Sequence, residues 1–263
     1  MQNDIEARMQ IAKEIAVKAG ALAVDMRRNQ DSSFSQEKSH QDFVTIADLA
    51  VESLIRKQIW AYFPQDSILG EEEGTTGVGD AMWVVDPIDG TTNYMRGLAD
   101  WAVSIAFCVG DKIECAVIYV LDIDKLVWAR AGEGALANDQ KISVSDHAAA
   151  KNALVLLGRS TRCKPEPYLR LLDNAFKIGL EYRRNGSAAY SLLLVALGHA
   201  DAFYEGHLNS WDAMAGILIV TEAGGTVDYP DYNEFIEHGG AVLASNSSLH
   251  DKVQFIVQAS TEV

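Results

Sequence analysis

Three strand-like runs, 103–109, 113–120 and 125–131, follow one another with only Gly110-Asp111 and Asp122-Ile123-Asp124 between them. Connections that short join antiparallel neighbours, because a parallel pair needs a crossover of a dozen residues or more. The middle of the chain is therefore committed to an antiparallel sheet. Upstream, Ile5, Met9, Ala12, Ile15, Ala16 and Ala19 recur at helical spacing and predict a long amphipathic helix ending near Arg28. Residues 30–41 are polar and read as a loop or a mobile hairpin. Residues 45–63 read as a second helix, with Val51, Leu54, Ile55, Ile59 and Tyr62 on one apolar stripe and Pro64 as its stop. Short strands are expected at 67–70 and 82–86. After about residue 145 the pattern changes to alternation, with strands at 153–157, 180–184, 202–205 and 241–245 and helices at 168–178, 188–197, 212–223 and from Leu249 onward. The expectation is an α+β fold with an antiparallel first sheet in residues 1–145 and a mixed α/β second half in residues 146–263. No linker separates them, so the halves should share a cleft.

Charge narrows the partners. Against 22 Lys and Arg the chain carries 37 Asp and Glu, a net −15. Phosphate neutralisation needs a basic face, so nucleic acid is an unfavourable partner and cations are favourable ones. No window approaches the length of uncharged apolar residues that crosses a bilayer, and the N-terminus carries acids where a secretory signal carries bases, which predicts a cytoplasmic protein that makes no use of membranes. Cys108, Cys115 and Cys163 form no paired motif, and the first two sit in strand-like apolar runs, so buried thiols with no disulfide and no zinc site are the expectation.

The chemistry concentrates in one segment. Asp86-Pro87-Ile88-Asp89-Gly90-Thr91-Thr92-Asn93 follows an apolar strand, which places Asp86 at the strand's carboxyl end and Asp89 in the turn after it. Gly90 then turns the backbone into Thr91 and Thr92, whose N–H groups at the start of a helical turn suit a phosphate. A lone Asp-x-x-Asp in a loop is ordinarily just solvated. Here acids also end the preceding strand, at Glu71, Glu72 and Glu73, and open a later helix at Asp212, after Glu205. Carboxylates from several strand ends facing one cleft repel strongly unless hard divalent cations sit among them, with Mg²⁺ beside a substrate phosphate the usual form.

GEEEG at 70–74, WVVDPIDGTTNY at 83–94, GSAA at 186–189 and WDAMAGILIVTEAGG at 211–225, in this order, resemble the motifs of the inositol monophosphatase family of Mg²⁺-dependent phosphatases. The resemblance implies an αβαβα layered sandwich and two or three Mg²⁺ ions. By position, Glu71, Asp86 and the Ile88 carbonyl resemble the ligands of one metal, and Asp86, Asp89 and Asp212 those of a second. Asp48 and Thr91 resemble the pair that polarises the attacking water, with Glu71 counted beside them in catalysis. Asp89, Gly90, Thr91 and Thr92 would hold the phosphate, while Gly186, Ser187, Ala188, Glu205 and Asp212 would line the pocket for the alcohol. The same resemblance implies lithium sensitivity and a homodimer. It departs from the family pattern at Glu37 and Lys38, where relatives carry a loop lysine, at Val120-Leu121, and at Tyr190-Ser191 after the GSAA block.

The implied activity is hydrolysis of a small-molecule phosphate monoester, inositol monophosphate first. Histidinol phosphate, fructose 1,6-bisphosphate and a nucleotide 3′-phosphate are alternatives within the superfamily, and a regulatory binding protein is the alternative outside enzymes. Gly132-x-Gly134-x-x-Ala137 formally matches a dinucleotide-binding glycine pattern, but the Asn138-Asp139 turn that follows makes it a strand connection. Ser187 lacks the second glycine of a nucleophile elbow. Arg183 and Arg184 read as a solvated strand end or, lying just before GSAA, as one contact to substrate or a partner subunit.

Overall fold

The computed structural model describes residues 2–29, 35–39 and 42–261, with the backbone alone for 2–3, 35–39 and 42–44. Helix α1 (Gln2–Arg28) is followed by the hairpin β1 (Ser35–Ser39) and β2 (Asp42–Thr45), then by α2 (Ile46–Tyr62). Glu37 and Lys38 fall on β1, and their side chains lie outside the described set. The hydroxyl of Thr45 accepts from the amides of Ala47 and Asp48, and Asp48 accepts from the Thr45 backbone, so a capping box starts α2.

The first sheet comprises β3 (Ser67–Gly70), β4 (Gly74–Thr76), β5 (Ala81–Asp89), β6 (Ala102–Val109), β7 (Lys112–Val120), β8 (Lys125–Arg130), β9 (Gly134–Ala137) and β10 (Gln140–Lys141), with the short helix α3 (Thr91–Met95) after β5. Among the described residues its order is β10-β9-β8-β7-β6-β5-β3-β4. The sheet is antiparallel except at one place, where β3 and β5 run parallel. The expected antiparallel sheet therefore carries one parallel pair, which the short turns alone did not reveal. The β3–β4 hairpin returns the chain to the starting end of β3, so β5 must enter from that end. In consequence the carboxyl ends of β3 and β5 lie side by side.

The second sheet joins β11 (Leu154–Leu157), β12 (Glu181–Arg183), β13 (Ala202–Leu208), β14 (Gly225–Asp228) and β15 (Gly240–Asn246) in the order β12-β11-β13-β15-β14, mixing parallel and antiparallel pairs. Helices α4 (Pro165–Lys177), α5 (Ala188–Ala196), α6 (Ser210–Glu222), α7 (Tyr232–His238) and α8 (His250–Thr261) complete the fold. β14, α7 and the β9–β10 hairpin had no expected counterpart. They are short, and their residues carry too few periods to stand out.

The layers follow from where apolar surface can be hidden. α1 and α2 bury Met9, Ile15, Val51, Ile55 and Ile59 on one face of the first sheet. α5 and α6 lie between the two sheets, and α4 and α8 cover the outer face of the second. α6 is buried almost continuously from Ala213 to Val220, as a helix apolar on all sides must be. Gly216 lets it touch α5, since a Cβ there would come within 2.5 Å of Leu192. The result is the αβαβα sandwich, with the middle helices shared by both sheets.

Candidate active site

β5 does not end at Asp86. It continues to Asp89 with one extra residue, since Asp86 pairs with Ser104 while Asp89 pairs with Ala102. In a regular strand residues three apart point to opposite faces. The bulge between them reverses that parity, and it also accommodates Pro87, which cannot donate to a ladder. Both carboxylates can therefore reach one point. Asp212, in the first turn of α6, joins them, and ligand oxygens of Asp86, Asp89 and Asp212 all lie within 4.8 Å of one another.

Each carboxylate is held. Asp86 is 1% exposed and accepts from the Ile88 amide at 3.0 Å. One oxygen of Asp89 accepts from the Ser187 hydroxyl and from the Ala189 amide at 2.7 Å, at the start of α5. Asp212 accepts from the Asn209 amide at 2.7 Å and its side-chain nitrogen at 3.2 Å, a second capping box. Burial raises all three above the ordinary carboxylate range. For Asp86, burial is reinforced by the charges of Glu71, Asp89, Asp212 and Asp48. Asp89 is pushed to about 6 by burial, against the opposing bonds from Ser187 and the α5 amides. Asp212 is pushed to about 7 by burial and then by Asp89. A buried cluster of hard oxygens that repel one another, with none of the three salt-bridged to a cationic side chain among the described residues, fits a divalent cation.

Next to the cluster, the Thr91 hydroxyl lies 3.2 Å from Asp48 and 3.2 Å from the Ile88 carbonyl. Asp48 is fully buried, and its second oxygen takes both the amide and the hydroxyl of Thr45. Burial pushes Asp48 up to about 6. Gly90 precedes Thr91 at φ +90°, and a Cβ there would meet Ser187 at 2.9 Å and the Asp100 carbonyl at 3.1 Å, so glycine is required twice over. Asn93 ties the loops together by donating to the carbonyls of Asp100 and Asn185.

Beyond Asp89 and Asp212 a cleft continues, lined also by Gly186, Ser187, Ala188, Glu205, Arg159 and Arg184. The expected alcohol-pocket residues are thus gathered together, although the Ser187 hydroxyl is engaged by Asp89. Glu205 is raised to about 8 by burial and by Asp212 and Asp89, against Arg184. Its carboxylate occupies the space where a Cβ of residue 158 would be, which explains Gly158. Of the two arginines, Arg184 faces the cleft while Arg183 pairs with Glu181. Arg159 went unnoticed in the sequence and carries no motif that could have flagged it. Asn209 could have been found, because Asn-x-x-Asp before an apolar helix is a capping pattern.

Residues 4–262 match the model of the inositol monophosphatase family. The chain belongs to the inositol monophosphatase family. One relative, a fructose-1,6-bisphosphatase/inositol-1-monophosphatase of Aquifex aeolicus, is 32% identical over 100% of this chain and 99% of its own. The Nus factor SuhB of Escherichia coli is 35% identical over 90% of this chain and 91% of its own. Among solved structures, the inositol monophosphatase of Anabaena superposes with a TM-score of 0.85 at 32% identity, covering 97% of each chain. The extragenic suppressor protein suhB of Bartonella henselae gives 0.90 at 32% identity, over 96% of this chain and 98% of the other. Family membership makes the protein a phosphatase of this superfamily, and the layered sandwich agrees with these neighbours. No helix among the described residues is long and apolar enough to cross a membrane.

Proposed function

We propose that this chain is a Mg²⁺-dependent phosphomonoesterase that hydrolyses a small polyol phosphate, with inositol monophosphate as its first substrate. The observation that carries the proposal is the meeting of Asp86, Asp89 and Asp212 beside the Thr91–Asp48 pair, at the inner end of a cleft with Glu205 on its wall. Glu71, Asp86 and the Ile88 carbonyl would hold one cation, and Asp86, Asp89 and Asp212 another. Bound there, the ions would supply Lewis-acid activation of water and stabilise charge on the phosphoryl group and the leaving oxygen.

The chain's own residues do the rest. Thr91 orients a water through its hydroxyl, and Asp48, whose burial favours the protonated form up to about pH 6, can take up the proton that the hydroxyl passes on. The N–H groups of Gly90, Thr91 and Thr92 face the phosphate. Glu205 hydrogen-bonds hydroxyls of the leaving alcohol, as carboxylate or carboxylic acid according to pH, and Ser187 keeps Asp89 in place. A homodimer, lithium sensitivity, a cytoplasmic setting and indifference to nucleic acid and membrane belong to the same reading. So does the division of labour in which residues 1–145 carry most of the ligands and 146–263 bring Asp212 and the pocket.

The relatives named Nus factor SuhB favour a second reading, a regulatory binding protein on the same fold. Phosphate release with and without Mg²⁺ separates the two. Inositol monophosphate, histidinol phosphate, fructose 1,6-bisphosphate and a nucleotide 3′-phosphate should be compared by kcat/KM. Turnover strictly dependent on Mg²⁺, and highest on inositol monophosphate, is expected. No release from any of the four with the metal present would favour the binding reading.

A further inference from the structure

Glu52 lies one turn beyond Asp48 on α2, and Arg56 one turn beyond Glu52. Their side chains are 0% and 2% exposed. Arg56 donates through Nε to Glu52 at 2.8 Å, and through its two terminal nitrogens to the Thr76 hydroxyl at 2.5 Å and the Gly74 carbonyl at 2.6 Å. Glu52 in turn accepts the Glu72 amide on one oxygen at 2.8 Å and the Glu73 amide on the other at 3.0 Å. The carboxylate sits so close under the chain that a Cβ at residue 70 would come within 2.3 Å of it. The acidic turn is thus fastened to α2 at Glu72, Glu73, Gly74 and Thr76 and packed against it at Gly70, and α2 is the helix that also delivers Asp48.

We infer that the Glu52–Arg56 pair is a positioning device that fixes the turn carrying Glu71 and so sets the affinity of the carboxylate cluster for a divalent cation. Glu71 sits between the close contact at Gly70 and the anchored amide of Glu72, and among the neighbouring charges it acts most strongly on Asp86. Glu52 itself is no candidate ligand, because its oxygens are occupied by the two amides and the guanidinium. A pair held only to stabilise the fold would be a poor choice, since two buried charges lose their hydration and an apolar pair of similar volume packs as well or better. An apolar pair, however, offers no acceptor for the two amides and no donor for the Gly74 carbonyl. The ion pair therefore specifies the geometry of the turn rather than the strength of the packing.

The inference rests on the proposed metal-dependent activity, and its test reads the cation directly. Full-length wild type, Glu52→Gln, and the double variant Glu52→Leu with Arg56→Met are stripped with chelator. Each is then titrated with MgCl₂ in a calorimeter and melted without metal. Both variants should bind Mg²⁺ at least tenfold more weakly. The double variant, free of buried charge, should keep a metal-free melting temperature within a few degrees of wild type. In turnover, the Mg²⁺ concentration for half-maximal rate should rise, while KM for inositol monophosphate stays nearly constant and saturating Mg²⁺ recovers most of kcat. Should Glu52→Gln fail to fold, the double variant decides. Wild-type Mg²⁺ affinity in the folded double variant would overturn the inference, as would a loss of affinity accompanied by collapse of the metal-free protein. Wild type that binds Mg²⁺ yet hydrolyses nothing would sink the phosphatase reading and leave this one standing.

Discussion

Asp89→Asn should stabilise the metal-free protein while disabling it. In the folded chain Asp89 titrates near 6, against 3.8 for an ordinary aspartate. Because the folded value is the higher one, the protonated form is favoured on folding, and the cost of ionising Asp89 builds as pH rises from about 4 through 6. Above that window the cost is constant, at about 3 kcal/mol for a shift of this size. Asparagine removes the charge, keeps an acceptor for the Ala189 amide, and gives up about 1 kcal/mol in the weakened bond from Ser187. The variant should therefore gain about 1–2 kcal/mol at pH 8 in the presence of chelator, a rise of roughly 2–8 °C in Tm for a chain of this length. That advantage should shrink steadily as pH falls toward 4. With Mg²⁺ added the order should invert, because wild type gains more from the ion, and turnover of the variant should fall by a factor on the order of 10² or more. Calorimetric melting at pH 4.5, 6 and 8, with and without metal, tests all of this. A variant less stable than wild type in chelator at pH 8 would refute the net cost assigned to burying an ionised Asp89, and wild-type turnover would remove it from the mechanism.

Thr91→Val removes the hydroxyl that links Asp48 and the Ile88 carbonyl, so kcat should drop roughly 10²- to 10⁴-fold with little change in Mg²⁺ affinity, and Thr91→Ser should recover most of it. Gly90→Ala combines a positive φ with contacts too close for a Cβ, and urea titration should register a loss of about 2–4 kcal/mol. Since Asp86, Asp89 and Asp212 all hold protons above the ordinary carboxylate range, Mg²⁺ uptake at pH 6 should release protons. Calorimetry in buffers of different ionisation heat would show this, and binding heats independent of buffer would contradict it.

Much of this arrangement is written locally. The helical spacing from Ile5 to Ala19 marks α1 as a one-sided helix, and the nearly unbroken apolar runs of α5 and α6 require burial on all sides, hence a place between two sheets. The Asp86–Asn93 segment, Glu71 and Asp212 identify themselves as acids at the ends of apolar elements. Other features are invisible at that level. Nothing local marks Glu52 and Arg56 as buried until the β3–β4 turn folds over them, and Arg159 becomes part of the cleft only through its place after β11.

By itself, then, the chain's pattern of residues determined the longer helices and strands, which of their faces are apolar and which acids are candidates for one cation site, because these depend on neighbours a few positions away. Tertiary structure alone decided that β3 and β5 run parallel, that a bulge turns Asp86 and Asp89 to the same side, and that Asp212 comes within 4.8 Å of both. Those outcomes depend on strand register and on helices packed between two sheets, and such long-range geometry is selected by the whole core rather than by any one segment.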